Sequence, residues 1–309
     1  MDKKHIKTFK EIKDKFKLVK NPESIHTDIY KKYWDSPLVK PLNLTDEEFK
    51  DHLGTIRIMV EQQESCDATP DVCSQTNGYH TKLIRDEDGT LQEVSVPCDK
   101  MSKIRQIRSN YVYQDFPKEW FARLLDTKSF GNAVDPTKAK LLQMFGSMKT
   151  QEKIQHGVYV YGNVGVGKTF TMVALANELA LRGNSVAFIV IQDLSYKIKN
   201  GFNKENQGDN EELIEKLKNA DVLFLDDVDT EVEGAWFYSN FLMVILNYRM
   251  NHQKPTFFTS NKNLNDYEKK INYITKSPEI AKRLMERIRT LVNNEEFNLR
   301  GPNLRYTSK

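Results

Sequence analysis

Gly162-Asn163-Val164-Gly165-Val166-Gly167-Lys168-Thr169 decides how the rest of this chain is read. It fits the pattern G-x-x-x-x-G-K-[ST] at every fixed position. Immediately before it, Gly157-Val158-Tyr159-Val160-Tyr161 is a short apolar and aromatic run that predicts a buried strand. After it, residues 170–181 are rich in Ala, Leu, Met and Val with no breaker, which predicts a helix. The three glycines let the main chain curl so that its N–H groups point inward at phosphate oxygens. The following helix directs the positive end of its dipole to the same place. Lys168 supplies a mobile cation for β- and γ-phosphates, and the Thr169 hydroxyl can ligate Mg²⁺. Residues Gly162, Asn163, Val164, Gly165, Val166, Gly167, Lys168, Thr169 and Phe170 are thus the expected nucleotide contacts, with ATP and Mg²⁺ as the ligands. A turn that only joins strand to helix needs neither the lysine nor the threonine.

Downstream, strand and helix alternate regularly. Apolar runs at 157–161, 185–191, 221–226, 255–260 and 296–299 predict strands with helices between them, hence an α/β sheet of parallel strands covered on both faces. The run 221–226 ends in Asp226-Asp227. A strand beside the loop strand delivers Asp226 to the Mg²⁺ shell and leaves Asp227 to polarise the attacking water. Two solvated acids at a strand end is the plainer alternative. Thr256-Phe257-Phe258-Thr259-Ser260-Asn261 ends in an amide able to bond both a water and a γ-phosphate, although an Asn there is ordinarily a turn residue. Arg283 and Arg287 share one helix face. They can meet charge developing on a transferred phosphoryl group, or they can be a solvated face.

The front of the chain differs. Residues 1–20 carry eight lysines, with Ile6, Phe9, Ile12 and Phe16 in one stripe; such an amphipathic helix can dock on a partner, touch nucleic acid or cap its own domain. A helix is predicted over 45–63, opened by the capping-box signal Thr45-Asp46-Glu47-Glu48. Strands at 82–85 and 91–96 flank the turn Asp86-Glu87-Asp88-Gly89. Around them lie all three cysteines, Cys66, Cys73 and Cys98, together with His80. Three thiolates and an imidazole form a complete tetrahedral set for Zn²⁺, though the spacing is not a C-x2-C knuckle, and three buried cysteines beside a surface histidine is the alternative. The net charge of +3 is too small to argue for nucleic acid by itself. In the insert, Tyr196, Lys197, Lys199, Phe202 and Lys204 interleave cations and aromatics, a pattern suited to single-stranded DNA and equally to an ordinary amphipathic helix. No run is long enough for a membrane span and no signal peptide is visible, so a cytoplasmic protein is expected.

The order of Gly162–Thr169, Leu225-Asp226-Asp227, Thr259-Ser260-Asn261 and Arg283-x3-Arg287 resembles that of the AAA+ ATPases. More narrowly, it is similar to the bacterial replicative helicase loaders of the DnaI/DnaC type over residues 110–309, and the cysteine-bearing front points to the DnaI side. That resemblance implies Walker A at Lys168 and Thr169, Walker B at Asp226 and Asp227, sensor 1 at Asn261, an arginine finger at Arg283 and sensor 2 at Arg287. It also implies a five-stranded parallel sheet, self-association through the ATPase domain, single-stranded DNA contact, and a zinc-carrying front domain that binds the hexameric replicative helicase. Other primosome or initiation proteins are further implied partners. The expected layout is a mainly helical domain over 1–105, a linker over 106–130 and an AAA+ domain over 131–309. Asp227 stands where most AAA+ enzymes have Glu, which implies slow hydrolysis. A transposase-helper ATPase, or an adaptor that holds nucleotide without motor activity, is the competing reading, and a small-molecule kinase is disfavoured by the paired aspartates and the arginine helix.

Overall fold

The computed structural model describes residues 30–68, 78–125, 136–150, 154–200, 207–230, 232 and 234–305. The amphipathic stretch 1–20, Cys73, Phe202 and Lys204 lie outside them. The chain divides into two compact units, Met1–Met101 and Ser102–Lys309.

In the first unit, Thr45 starts a helix as its capping box predicts. Its Oγ1 accepts the Glu48 N–H at 3.2 Å while Glu48 Oε2 accepts the Thr45 N–H at 2.8 Å. The helix that follows is two, α1 (Asp46–Asp51) and α2 (Leu53–Ala68), because His52 leaves helical geometry at φ −101° and ψ 12°. Strands β1 (Tyr79–Arg85) and β2 (Leu91–Pro97) pair antiparallel from Tyr79↔Pro97 to Arg85↔Leu91. Asp86 Oδ1 accepts the N–H groups of Asp88 and Thr90 and so holds the turn. Tyr33, Val39, Phe49, Ile56, Met59, Val60 and Leu83 fill this unit's core. Arg85 bonds Glu48 at 2.8 Å and holds its carboxyl down at about 2, tying the hairpin to the helix cap.

The second unit is an α/β layer around a parallel sheet of six strands. They are β3 (Tyr111–Gln114), β4 (Tyr159–Gly162), β5 (Val186–Val190), β6 (Val222–Asp226), β7 (Thr256–Ser260) and β8 (Glu296–Leu299), in the order β3-β5-β6-β7-β4-β8. Successive residues of a strand point to opposite faces. Accordingly Ala187, Ile189, Leu223, Leu225 and Phe258 enter one core cluster. Val186, Phe188, Val222, Phe224 and Phe257 enter the other. Against the second cluster pack helices α3 (Asp99–Ser109), α4 (Pro136–Thr150) and α5 (Lys168–Leu181). Helices α6 (Ile191–Asn200), α7 (Gln207–Asn219), α8 (Met243–Asn251), α9 (Leu264–Thr275) and α10 (Pro278–Leu291) cover the first.

Three expectations are corrected. The sheet has six strands where five were implied, because Tyr111–Gln114 lies parallel to β5 in the register Tyr111↔Val186 and Gln114↔Phe188. The aromatics read as linker are core instead: Phe116 meets Tyr111, Phe121 and Phe188 edge-on at 5.5, 5.0 and 5.3 Å. The acid strand β6 is also not beside the loop strand β4, since β7 stands between them.

Candidate functional site

β4 ends at Gly162 and α5 begins at Lys168, so the five residues between must reverse direction inside a crowded sheet end. A Cβ on Gly162 would stand 2.1 Å from the Leu299 carbonyl oxygen of β8. Gly165 holds φ at +84°, a conformation that side chains disfavour. Lys168, the first helical residue, is only 6% exposed. Its Nζ donates to the Gly162 carbonyl at 2.9 Å, the Asn163 carbonyl at 3.0 Å and Asn261 Oδ1 at 2.9 Å. All three acceptors are neutral, so the ammonium stands ready for an anionic ligand. Burial pulls its pKa down, opposed by the carboxylates of Asp227, Asp229 and Asp226.

The acids gather at the same edge. Asp226, at the end of β6, is 3% exposed and accepts the Thr169 hydroxyl at 3.1 and 3.0 Å through its two oxygens. Thr259 on β7 donates its hydroxyl to Asp226 Oδ1 and accepts the Asp227 N–H at 2.9 Å. Burial pushes Asp226 up to about 6 and raises Asp227, which sits at φ +50°. Asn261 is fixed from behind, because buried Asp229 accepts its main-chain N–H at 2.7 Å. The structure therefore brings Lys168, Thr169, Asp226, Asp227 and Asn261 together at the C-terminal ends of three strands.

Other expected residues fall elsewhere. Phe170 lies under the Arg123 guanidinium at 4.3 Å. On α10, Arg283 is 3.7 Å from Glu279, while Arg287 donates to Asn247 and to the Arg283 carbonyl. Their polar contacts are thus with α10 itself and with α8. In the insert, Tyr196 is 68% exposed, but Lys197 is bonded to Asp115 at 2.8 Å and to the Tyr113 hydroxyl. Three residues of the edge escaped sequence reasoning. Thr259 and Asp229 act through cross-strand placement, and Asn303 covers Gly165 so closely that a Cβ there would lie 2.0 Å from its Oδ1. Thr259 stood inside a motif that pointed only at Asn261, and Asp229 was a third acid two residues past the pair. For Asn303 the sequence carries no signal.

In the first unit, α2 contributes Cys66, β1 contributes His80, and Cys98 follows β2. The hairpin pairs His80 with Val96, which draws Cys98 alongside; the Cys98 N–H reaches the Gly78 carbonyl at 2.9 Å. The Cys66 sulfur is 3.5 Å from His80 Nε2, and all three donor atoms lie within 4.8 Å of one another. Two thiols and an imidazole converging so tightly fit Zn²⁺ in chemical type.

The profile of the IstB-like ATP binding proteins matches residues 99–303. The replicative helicase loader DnaI of Bacillus subtilis (strain 168) is 29% identical over 262 residues, 80% of this chain and 80% of that one. The replicative helicase loader DnaC of Escherichia coli (strain K12) is 32% identical over 129 residues, 41% of this chain and 48% of that one. A crystal structure of DnaI superposes with a TM-score of 0.54 at 28% identity, covering 64% of this chain and 99% of that chain. No helix among the described residues is long and apolar enough to cross a membrane. With a phosphate loop, paired acids and a strand-end amide joined in one hydrogen-bonded set, the chain belongs to the IstB/DnaC-type AAA+ family of ATP-binding proteins.

Proposed function

We propose that this protein is an ATP-driven loader that holds a hexameric replicative helicase through its first unit and delivers it to single-stranded DNA. The observation that carries the ATP reading is the bond from Lys168 to Asn261, with Thr169 and Thr259 both on Asp226. It connects the loop, the acids and the sensor strand through side chains alone. The main-chain N–H groups of residues 163–168 and the Lys168 ammonium bind the phosphates, and Thr169 with Asp226 holds Mg²⁺. The metal, when bound, neutralises charge on the phosphate oxygens. Asp227 orients the attacking water and takes up its proton as general base, and Asn261 positions that water. Arg283 of a neighbouring protomer meets the charge of the transferred group, and Arg287 reads the nucleotide on its own protomer.

The loader reading is favoured over a transposase helper by the extent of the DnaI match, since 80% of this chain cannot fit within Ser102–Lys309. The test is co-elution of the full chain with a hexameric replicative helicase in the presence of ATP or ADP. Failure to form a complex with either nucleotide sinks the loader role and leaves the ATPase reading standing. DNA contact is placed on the exposed Tyr196 face together with Lys197 and Lys199. If neutralising both lysines leaves single-strand binding and its salt slope unchanged, that placement is wrong.

Zinc in the first unit, held by Cys66, His80, Cys98 and Cys73 as the fourth ligand, belongs to the same reading. A small polar unit gains most from such a staple. Elemental analysis of the full chain is expected to give about one zinc per protein, with Cys66→Ser and Cys98→Ser each losing the metal and lowering the melting point of the first unit. Zinc far below one per chain in the unmutated protein ends that assignment.

A further inference from the structure

At the sheet edge Asn261 is held from two sides. In front, its Oδ1 accepts Lys168 Nζ at 2.9 Å. Behind, Asp229 Oδ1 accepts both its main-chain N–H at 2.7 Å and its side-chain Nδ2 at 3.4 Å. The turn around it is fixed as well. Ser260 Oγ accepts the Lys262 N–H at 2.9 Å, and the buried Tyr159 hydroxyl donates to the Lys262 carbonyl at 2.8 Å. Asp229 itself is 5% exposed, and Lys270 of α9 donates to its carbonyl. Satisfying one main-chain N–H takes no charge; an amide oxygen does it with less desolvation than a carboxylate. The charge of Asp229 therefore needs a role of its own.

A side-chain amide has an accepting end and a donating end. Here an ammonium faces the first and a carboxylate the second. Turned by half a rotation, Asn261 would set its oxygen against Asp229 and its NH2 against Lys168, and both contacts would repel. A bound triphosphate draws the Lys168 ammonium to its phosphates, so the front restraint leaves at the moment the amide is needed. We propose that Asp229 is a positioning residue whose negative charge keeps the carbonyl end of Asn261 turned to the nucleotide, where it accepts a hydrogen bond from the attacking water. This rests on the ATP reading above. Asp229→Asn separates a charge-dependent role from a cap on the turn. The replacement keeps the shape and an oxygen for the Asn261 N–H, yet lets either end of the facing amide turn towards it.

The test uses the full chain with magnesium. Single-turnover hydrolysis, with protein in excess over ATP, is measured beside titration with a methylanthraniloyl-labelled, slowly hydrolysed ATP analogue. Asp229→Asn is expected to slow the single-turnover rate about tenfold to a hundredfold, the scale of a misplaced positioning group. Its affinity for the analogue is expected to stay within about threefold of the parent, since the amide acts on the water and not on ground-state binding. Asn261→Ala is expected to slow the reaction at least as much. The double variant is expected to be no slower than Asn261→Ala alone, because Asp229 acts only through that amide. A parental rate in either single variant overturns the proposal, as do losses that multiply in the double variant and a loss of affinity that matches the loss of rate. An unmutated chain that binds ATP without cleaving it overturns it too. An unmutated chain that takes up no nucleotide instead brings down the ATP reading, and this inference with it.

Discussion

Asp226 lies buried between the hydroxyls of Thr169 and Thr259, and that position sets stability against function. Burial lifts its pKa to about 6, from about 3.9 in an unfolded chain. Its contribution to stability is thus full below pH ~3.9 and is lost as pH rises through about 6. At pH 7.5 the ionised carboxylate costs the ligand-free fold about 2 to 3 kcal/mol. Asp226→Asn is therefore expected to melt several degrees above the unmutated chain at pH 7.5, with the difference vanishing near pH 4. The same variant is expected to lose magnesium-dependent nucleotide binding, which in the unmutated chain weakens as pH falls through about 6. Thermal melts across that range decide the matter: an Asn variant no more stable than its parent at pH 7.5 shows that the buried carboxylate carries no such cost.

Among elements, α8 is pinned by one side chain. Arg249 is fully buried, and its guanidinium donates to the carbonyls of Leu217, Lys218 and Ala220 at the end of α7, to Pro255, and to the Thr256 hydroxyl. Arg249→Met keeps the apolar stem and orphans those acceptors, so urea unfolding is expected to show a loss of about 3 to 5 kcal/mol. A loss under about 1 kcal/mol is the outcome that removes the pin. The contrast with the phosphate loop shows what a sequence can carry. Gly162, Gly165, Gly167, Lys168 and Thr169 are legible because one short backbone path demands them at fixed spacing. Asp226 is legible because a carboxylate ends an apolar run. Thr259 is not, because it meets Asp226 only through the parallel register that sets Phe258 beside Leu225. Arg249 looks like a surface cation until α7 ends against it. Strand β3 is four residues long, too short for a period of two to declare itself against Pro117 and its charged neighbours.

For the whole molecule, the proposed finger makes a prediction about mixtures. Arg283 is 60% exposed and tied only loosely to Glu279, which suits a group used by a neighbour. Arg283→Ala is expected to lower turnover by about 10³-fold or more, and Lys168→Ala to abolish it. Mixed together they are expected to regain activity, since each supplies what the other lacks. A mixture as inactive as its components puts the arginine on its own protomer or outside catalysis. The strand order has a mechanical corollary. β7 carries Thr259 against the acids and leads into Asn261 against the lysine, while its backbone is bonded to β6 on one flank and β4 on the other. Such a beam cannot flex alone. The proposed ATP cycle is therefore expected to move helices and loops at the rim, with the sheet as the fixed frame against which they lever.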